Sequence, residues 1–396
     1  MKRFSLVALL LSPSLLIAGD WPQFRGPNGQ GFAIEKNLPE KFSKTEGMRW
    51  TAALPGRGLS SPVVIGDQVY LIAASGVRGD RLHVICYSLA TGKELWHRQL
   101  WATGSTVCHP DTNMAAPTPV ADKEGVYALF ATGDLAAFDL DGNLKWYRSL
   151  VGDYPEMTNQ VGMASSPVLH RGSLIVPMDN AGDSFLAAVD TRYGKNLWKV
   201  DRPKDINWVT PLIREVGEKT ELIFSTDSAL TAYDIATGKI VWTFAGQGVN
   251  TIPSSFIGGD KIFVPLNGLT ALEFKEGQPK TVWASAQLST GMSSAVFYDG
   301  KVYAMNRAGV LVCADAKDGK VVWQERLKGK FSSSPIAGDG KIYAGNEDGT
   351  VFVVKVGDTA EIVGENKIGG RIQATPAISQ GVVLYRTDST LFCIGK

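Results

Sequence analysis

Short apolar runs separated by turns rich in Gly and Asp recur along most of the chain. The segments QVYLIA (68–73), LAAFDL (135–140) and LTAYDI (230–235) are typical of these runs. Runs of four to eight residues that are bounded by turn residues are typical of β-strands. The pattern therefore predicts an all-β protein.

A repeated phrase divides the predicted strands into units. Five tryptophans follow similar turns, in ATGKELW, LDGNLKW, RYGKNLW, ATGKIVW and KDGKVVW, and successive tryptophans of the phrase stand 40 to 52 residues apart. Each unit contains four predicted strands, which we call A to D. In the first unit these strands are SSPVV, QVYLIA, LHVICYSL and KELWHRQL. Four short strands in a unit of this length are typical of a β-propeller blade.

Eight units can be counted, and the chain termini share the last one. The A strands begin near residues 60, 117, 165, 209, 252, 293, 332 and 374, and the eighth unit has no D strand of its own. MRWTAAL (48–54) is a D strand with no A, B and C strands before it. We therefore expect an eight-bladed propeller of four-stranded blades over 48–396, closed by an N-terminal strand that completes the last blade and protects the sheet edges.

The repeat assigns packing roles to its tryptophans and to three cysteines. A flat indole near the start of each D strand can fill the wedge between neighbouring blades. In the seventh unit Val363 occupies the tryptophan position. Cys86, Cys313 and Cys393 replace a small Ala at equivalent positions of three blades. Because these positions lie in different blades, we expect the three thiols to be too far apart for disulfides. Only Cys108 lies outside the repeat. The predicted structural tryptophans are Trp50, Trp96, Trp146, Trp198, Trp242, Trp283 and Trp323.

The N-terminal segment and the charge balance indicate the compartment. Residues 1–19 combine Lys2 and Arg3, a short apolar run and small residues, which is typical of a secretory signal peptide, and 20–47 then precede the propeller. The 40 Lys and Arg nearly balance the 39 Asp and Glu, so nothing favours a nucleic-acid partner. No later stretch is long and apolar enough for a transmembrane span. We expect a soluble, exported, monomeric protein of the periplasm or cell envelope.

Loop lengths predict which face of the propeller binds. The A–B and C–D turns are short and alike, whereas the D–A and B–C connections of blades 1–3 are long and variable and share the other face. Binding usually resides in variable loops on a repetitive scaffold. The binding-face candidates are Arg78, His97, His109, Asp111, Asn113, Asn159, Gln160, Asp179, Asn180 and Trp208.

Metal and nucleophile chemistry are weaker interpretations of the same loops. Cys108, His109 and Asp111 are close in sequence, but adjacent Cys and His side chains rarely turn to one ion, and no oxyanion arrangement accompanies the thiol. DNAGD (179–183) lacks the ordered carboxylate spacing of a calcium loop. We therefore predict no metal ligands and no catalytic residues.

The repeated (A/C)-x-D-x-x-(T/D)-G-K-x-x-W phrases, with Ser/Thr-Pro starts, resemble the pyrroloquinoline-quinone-like (PQQ-like) repeat family over residues 48–396. DWPQFRGPNGQG (20–31) resembles the opening of exported bacterial members. The resemblance implies two kinds of relative. Quinoprotein dehydrogenases hold the quinone and a calcium ion near the propeller axis, whereas the assembly propeller BamB of the outer membrane binds a protein partner and does no chemistry.

The chain departs from both kinds of relative. It has no adjacent Cys-Cys pair, as the alcohol dehydrogenases have, and it lacks the lipid-attachment cysteine of BamB. The missing pair favours a non-catalytic exported scaffold, closer to BamB, that binds a protein of the cell envelope without a cofactor. The alternatives are a PQQ-dependent oxidoreductase of alcohols or sugars with calcium, and a glycan- or small-molecule-binding module.

Overall fold

The structure is a computed structural model that describes residues 19–158 and 161–395. Within these residues 32 strands form eight four-stranded sheets, and neighbouring strands within each sheet pair antiparallel. The sheets are the eight blades of a propeller, so the predicted fold is confirmed. The predicted signal peptide falls almost entirely on residues 1–18, which lie outside the described residues.

The strands have the following bounds. The first 17 are β1 Met48–Ala53, β2 Val63–Ile65, β3 Gln68–Ser75, β4 Arg81–Ser88, β5 Glu94–Trp101, β6 Val120–Asp122, β7 Gly125–Leu129, β8 Asp134–Phe138, β9 Leu144–Ser149, β10 Val168–His170, β11 Ser173–Met178, β12 Phe185–Asp190, β13 Asn196–Asp201, β14 Leu212–Val216, β15 Lys219–Ser225, β16 Ala229–Asp234 and β17 Ile240–Ala245. The other 15 are β18 Phe256–Gly258, β19 Lys261–Val264, β20 Leu269–Lys275, β21 Gln278–Ser285, β22 Val296–Tyr298, β23 Lys301–Met305, β24 Val310–Asp315, β25 Val321–Arg326, β26 Ile336–Gly338, β27 Lys341–Gly345, β28 Thr350–Lys355, β29 Glu361–Lys367, β30 Ala377–Ser379, β31 Val382–Arg386 and β32 Thr390–Ile394.

Helical structure is confined to three short turns in the described part of the chain. They are α1 Leu150–Asp153 and the 3-10 turns Pro27–Gly29 and Ala286–Leu288. None of these is long and apolar enough to cross a membrane.

The ring closes as predicted. In blades 1–7 the strand order follows the chain, and the A strands of neighbouring blades contact each other around the axis, as β2 does with β6 and β30. In the eighth blade, β30, β31 and β32 are followed by β1 as the outermost strand, with Trp50 opposite Cys393. The N-terminal strand therefore supplies the missing D strand of the last blade.

The repeat tryptophans bridge neighbouring blades. The indole of Trp96 lies against Gly142 of the next blade, where an added Cβ would come within 2.6 Å of the ring, and its Nε1 donates to Leu140 O at 2.8 Å. Gly142 also has a φ of 81°, so the turn requires glycine both for its backbone and for the ring above it. The same stacking joins Trp50 to Gly92, Trp146 to Gly194, Trp198 to Gly238 and Trp283 to Gly319.

The strand register explains the small residue of the repeat. Cys86 is paired with Trp96, and Cys313 with Trp323, so the thiol stands opposite the indole where other blades have Ala. All four cysteines are free, and for Cys86, Cys313 and Cys393 this was predicted from their equivalent positions. A small side chain at this position leaves room for the neighbouring indole.

The seventh blade corrects one position of the alignment. Each other blade places its tryptophan opposite the small residue, but in blade 7 the residue opposite Val353 is Gly364, and Val363 falls in the β-bulge before it. A Cβ on Gly364 would lie 2.0 Å from the carbonyl oxygen of Glu40, and Phe42 N donates to Asn366 Oδ1 at 2.8 Å. The prediction that Val363 takes the place of tryptophan was therefore wrong by one residue, because the N-terminal segment packs there.

That N-terminal segment crosses the A–B end of the channel. Trp21 is paired with Val64 of blade 1, and Pro22 O accepts from Ala121 N of blade 2 at 2.9 Å. Ten residues further on, Phe32 forms a bridge with Ala337 of blade 7. The segment thus joins blades from separate parts of the ring and covers the channel between them.

Candidate functional site

The long D–A loop of blade 1, residues 102–119, crosses the mouth of the axial channel. At its centre Asp111 Oδ1 lies 3.0 Å from Arg371 Nη2, and Asp111 Oδ2 lies 3.3 Å from Arg307 Nη2. Arg307 stands in the B–C turn of blade 6, and Arg371 stands in the connection from blade 7 to blade 8. The carboxylate therefore fastens a loop of blade 1 to blade 6 and to the connection between blades 7 and 8.

Glu347 completes this cluster at the channel mouth. Its Oε2 lies 2.8 Å from Arg371 Nη2, and its Oε1 accepts from Ser332 Oγ at 2.6 Å. Hydrogen bonding from Arg371 holds the pKa of Asp111 below its usual value, with a further contribution from Arg307. Burial opposes ionisation of Glu347, but the bonds from Ser332 and Arg371 overcome it and lower its pKa. Both carboxylates are thus ionised at neutral pH, and they balance the two guanidinium charges.

We call Asp111, Arg307, Glu347 and Arg371 the clasp, and the cavity beneath them the upper chamber. Its volume is about 430 Å³. Apolar side chains dominate its walls, whereas the loop residues and Arg307 form a polar rim. It is lined by Leu59, His109, Asp111, Thr112, Ala116, Ala164, Trp208, Ile252, Met292, Arg307, Ser332 and Gln373. An apolar chamber with a few convergent polar groups is the usual form of a small-molecule site.

The D–A loops of blades 1, 2 and 3 are tied into one ridge. His109 N donates to Val161 O at 3.1 Å, and Trp208 Nε1 donates to Gly162 O at 2.7 Å. In the same ridge Asn113 Oδ1 accepts from Ala115 N at 2.6 Å, which holds the turn. Four predicted binding-face residues, His109, Asp111, Asn113 and Trp208, are thereby brought together at the channel mouth.

Two other predicted residues lie inside blade 3. Asp179 is 3% exposed and accepts from Arg202 Nε at 2.7 Å and Nη2 at 2.8 Å. Asn180 is fully buried, and its Oδ1 accepts from Thr158 N at 3.1 Å and Gly182 N at 2.8 Å. These side chains hold the loops of blade 3 in place and do not face solvent.

The remaining candidates are on blade 1 or outside the described residues. Arg78 is exposed in the B–C turn, whereas His97 is half-buried in β5 and is joined to His83 by a 2.8 Å contact between Nε2 and Nδ1. Asn159 and Gln160 lie outside the residues that the structure describes. Neither Arg78 nor His97 is bonded to a clasp residue in the described part of the chain.

The geometry does not provide an activated thiol or a metal cluster. Burial raises the pKa of the Cys108 thiol, with only partial opposition from the charge of Arg57. A raised pKa disfavours the thiolate that nucleophilic chemistry requires. In residues 19–158 and 161–395, no three His, Cys, Asp or Glu side chains are grouped as metal ligands.

The upper chamber does not fit the quinone and calcium of the dehydrogenase alternative. A polycarboxylate quinone in this chamber would need cationic partners at its walls, but the guanidiniums beside it, those of Arg307 and Arg371, are already paired with Asp111 and Glu347. A calcium ion takes six to eight oxygen ligands, with carboxylates usually among them. The two carboxylates at the mouth are committed to arginines, so we derive no step through that group.

The sequence did not reveal three of the four clasp residues. Arg307, Glu347 and Arg371 come from blades 6 to 8, whose turns have ordinary lengths, so loop length gave no signal there. Their chemistry did give one, because NRAGV (306–310) and NEDGT (346–350) carry charges of opposite sign at the same repeat position.

A second cavity lies on the opposite face, which loop lengths had not indicated. Its volume is about 870 Å³, and it lies between the N-terminal segment and the A–B turns of blades 2–5. His170, Arg171, Arg214 and Glu215 are among its polar residues. Acidic and basic groups are mixed along its walls, so it has no clear charge preference.

Comparison with protein families places the chain. The PQQ_2 family model, which is described as outer membrane protein assembly factor BamB, matches residues 42–211, 162–286 and 277–363. These matches overlap and together cover most of the propeller. The chain belongs to this family. Membership of the PQQ_2 family agrees with the resemblance that the repeat phrases indicated.

Individual relatives of this PQQ_2 protein fall into two classes. A polyvinylalcohol dehydrogenase of a Pseudomonas species is 22% identical over 330 residues, covering 71% of this chain and 46% of that protein. BamB of Yersinia pestis is 24% identical over 224 residues, covering 53% of each chain. The chain thus spans about half the length of the curated relatives it matches, and sequence similarity does not separate the two classes.

Solved structures agree on the fold. A europium-containing methanol dehydrogenase superimposes with a TM-score of 0.70 at 12% identity, covering 93% of this chain and 90% of the other. BamB from Moraxella catarrhalis superimposes with a TM-score of 0.66 at 14% identity, covering 87% of this chain and 96% of the other. Identities this low show a shared propeller fold alone.

Proposed function

We propose that this protein is a non-catalytic, exported scaffold that binds a partner protein of the cell envelope through the D–A face of blades 1–3. The proposal therefore assigns to this protein the protein-binding role of BamB in addition to the shared fold. It assigns the binding role to the ridge of joined loops and to the edge of blade 1 beside it.

An exposed apolar edge on blade 1 is the observation that carries the proposal. Val77, Trp101 and Val107 are 105%, 61% and 59% exposed, and all belong to the B–C turn, the end of β5 or the D–A loop of that blade. A hydrogen bond of 2.9 Å from Ala102 N to Asp80 O ties these two connections together. Exposed aromatic and aliphatic groups beside ordered polar loops are typical of protein interfaces.

The charges around this edge favour a specific protein partner. Arg78 is exposed next to Val77, and the guanidinium of Arg81 lies 5.8 Å from the ring centre of Trp101. Arginine and tryptophan together are enriched among residues that contribute most to binding energy. The backbone of the ridge is fixed by hydrogen bonds, so less ordering entropy opposes association.

The proposal can be tested by affinity capture followed by binding between purified components. The full chain is immobilised, a retained envelope protein is identified by mass spectrometry, and its Kd is measured with purified protein. We expect Trp101→Ser to weaken binding at least tenfold. Tyr193→Ser is the matched control, since Tyr193 is 70% exposed in a C–D turn of blade 3, on the other face.

Two results would overturn the scaffold proposal. One is an unchanged Kd for Trp101→Ser, which would place the interface elsewhere. The other is retention of added quinone with calcium during gel filtration, together with dye reduction in the presence of an alcohol. That second result would establish the oxidoreductase alternative. Saturable binding on a glycan array without a protein partner would favour a glycan-binding module.

A further inference from the structure

A ring of hydroxyl groups surrounds the propeller axis. Each blade contributes one Ser or Thr just before its A strand, at the second position of the Ser/Thr-Pro start or its equivalent. The eight residues are Ser61, Thr118, Ser166, Thr210, Ser254, Ser294, Ser334 and Thr375. We call them the hydroxyl ring.

Hydrogen bonds run around this ring from blade to blade. The backbone N–H of seven of the eight members donates to the hydroxyl oxygen of the next, as Thr118 N does to Ser166 Oγ at 2.9 Å and Thr210 N to Ser254 Oγ at 2.9 Å. Seven such links span 2.9 to 3.3 Å. The eighth link is open, because Ser61 Oγ is buried without a hydrogen-bond partner in the described chain.

The arrangement leaves a surplus of hydrogen-bond donors. Each linked hydroxyl uses its oxygen to accept an N–H, but within the described residues none of these hydroxyls donates its own hydrogen to the protein. Seven of them line an axial cavity of about 110 Å³, which we call the lower chamber. Trp208, Ile252 and Met292 line both chambers, so the two adjoin. A guest rich in acceptor oxygens would satisfy these donors.

Two buried arginines add positive charge beside the ring. Arg25 Nη2 donates to Ala295 O, next to Ser294, and Arg386 Nη1 donates to Ser60 O at 3.2 Å, next to Ser61. Each arginine is 1% exposed, and each has two side-chain nitrogens without a hydrogen-bond partner in the part of the chain that is described. Burial lowers the pKa of each guanidinium to about 9.

No carboxylate in the described chain forms an ion pair with Arg25 or Arg386, and none of the described residues that line the lower chamber is acidic. Buried charges are normally paired or hydrogen-bonded throughout. The lining of the lower chamber is therefore rich in donors and free of carboxylates, and the guanidiniums of Arg25 and Arg386 lie just outside that lining, with Asp388 partly offsetting the charge of Arg386. A chamber with this lining disfavours a cation and favours an anion.

We propose that the hydroxyl ring binds a small oxyanion that enters through the upper chamber. Several O–H donors bind its oxygens, and charge-assisted bonds of this kind are about twice as strong as neutral ones. The oxyanion is either an inorganic ion such as phosphate or the carboxylate of an organic acid whose apolar body lies in the upper chamber. The site lies inside the channel, so this proposal stands or falls independently of the partner-binding face.

Calorimetry on the purified full chain tests the site with phosphate, sulfate, acetate and benzoate at constant ionic strength. We expect saturable binding of one anion per chain. Ser166→Ala and Thr210→Val should each weaken it about tenfold, as expected for loss of a hydrogen bond to a charged group. Benzoate binding more tightly than acetate and phosphate would identify an organic acid, and preference for phosphate an inorganic ion.

A neighbouring serine provides the matched control. Ser165 is the residue before Ser166, but its hydroxyl donates to Asn207 O at 3.2 Å and is not part of the ring. Ser165→Ala should therefore retain wild-type affinity. Equal weakening by both substitutions would indicate a general structural effect and overturn the assignment, as would the absence of saturable binding.

Diffraction provides a readout that does not depend on the variants. Crystals of the wild-type chain soaked in selenate should show an anomalous peak on the axis, within hydrogen-bond distance of ring hydroxyls. Peaks confined to the outer surface would mean adventitious ions only and would refute the site.

Discussion

The buried His83 is expected to make the protein less stable in mild acid. It is 4% exposed in β4, between Ser75 Oγ at 2.7 Å and His97 Nε2 at 2.8 Å. Burial, with the nearby charges of His97 and Arg81, lowers its pKa from 6.5 to about 4. The unfolded chain therefore takes up this proton more readily than the folded chain, so stability falls as pH drops below 6.5 and the loss is complete near pH 4.

The size of the effect follows from the two pKa values. At pH 5 the unfolded histidine is almost fully protonated and the folded one is mostly neutral, which corresponds to about 2 kcal/mol. Over the whole interval the loss approaches about 3 kcal/mol. We expect His83→Gln, which cannot take up the proton, to lose about 2 kcal/mol less than the wild type between pH 7.5 and pH 5.

Urea denaturation followed by tryptophan fluorescence measures this difference at each pH. Other groups titrate in the same interval, so the test is the difference between variant and wild type. Ser75→Ala is the matched control, because it removes one hydrogen bond to the His83 imidazole but keeps that imidazole buried. This variant should retain the wild-type pH dependence. Equal losses for His83→Gln and wild type would refute suppression of protonation by burial.

Three further substitutions test the packing and the clasp. Gly364→Ala places a Cβ 2.0 Å from a backbone oxygen of the N-terminal segment, and it should lower the free energy of unfolding in chemical denaturation by about 2 to 3 kcal/mol. Gly357→Ala is the control, because a Cβ there has no neighbour within 4 Å and should leave the free energy of unfolding almost unchanged. Trp96→Ala should lower the free energy of unfolding by about 3 to 5 kcal/mol, because the indole that fills the space between two blades is lost. Trp101→Ser in the same strand should change the free energy of unfolding by no more than about 0.5 kcal/mol, and similar losses for the two variants would contradict the assigned burial. Asp111→Asn should change the free energy of unfolding by less than about 1 kcal/mol, since the ion pairs of Asp111 are partly exposed. The same substitution should speed amide hydrogen exchange in residues 102–116, and unchanged exchange would show that the carboxylate does not hold the loop.

The fold was predictable because its determinants are local and repeated. A turn glycine, an indole and a small residue recur in register, and each repetition confirms the others. Position 363 shows the limit of that reasoning, because the register of blade 7 depends on a segment more than 300 residues away. Contact between Glu40 and Gly364 has no local signature in the sequence.

The candidate site was only half predictable for a related reason. Loop length pointed to His109, Asp111, Asn113 and Trp208, which lie together at the channel mouth. Loop length also pointed to Asp179, but the carboxylate of Asp179 is buried and forms an ion pair with Arg202. Ion pairing across a ring depends on which blades face each other, and that geometry follows only once the eight blades are assembled.

Pairing of β1 with β32 has a consequence for how the protein is made. Strand β1 leaves the ribosome before every other described strand, whereas its partner β32 leaves after all of them. The last blade therefore stays unsealed until β32 has been made, and such distant pairings fold slowly. Chains in which β32 is not yet made expose a bare strand edge, and such an edge can pair with another chain.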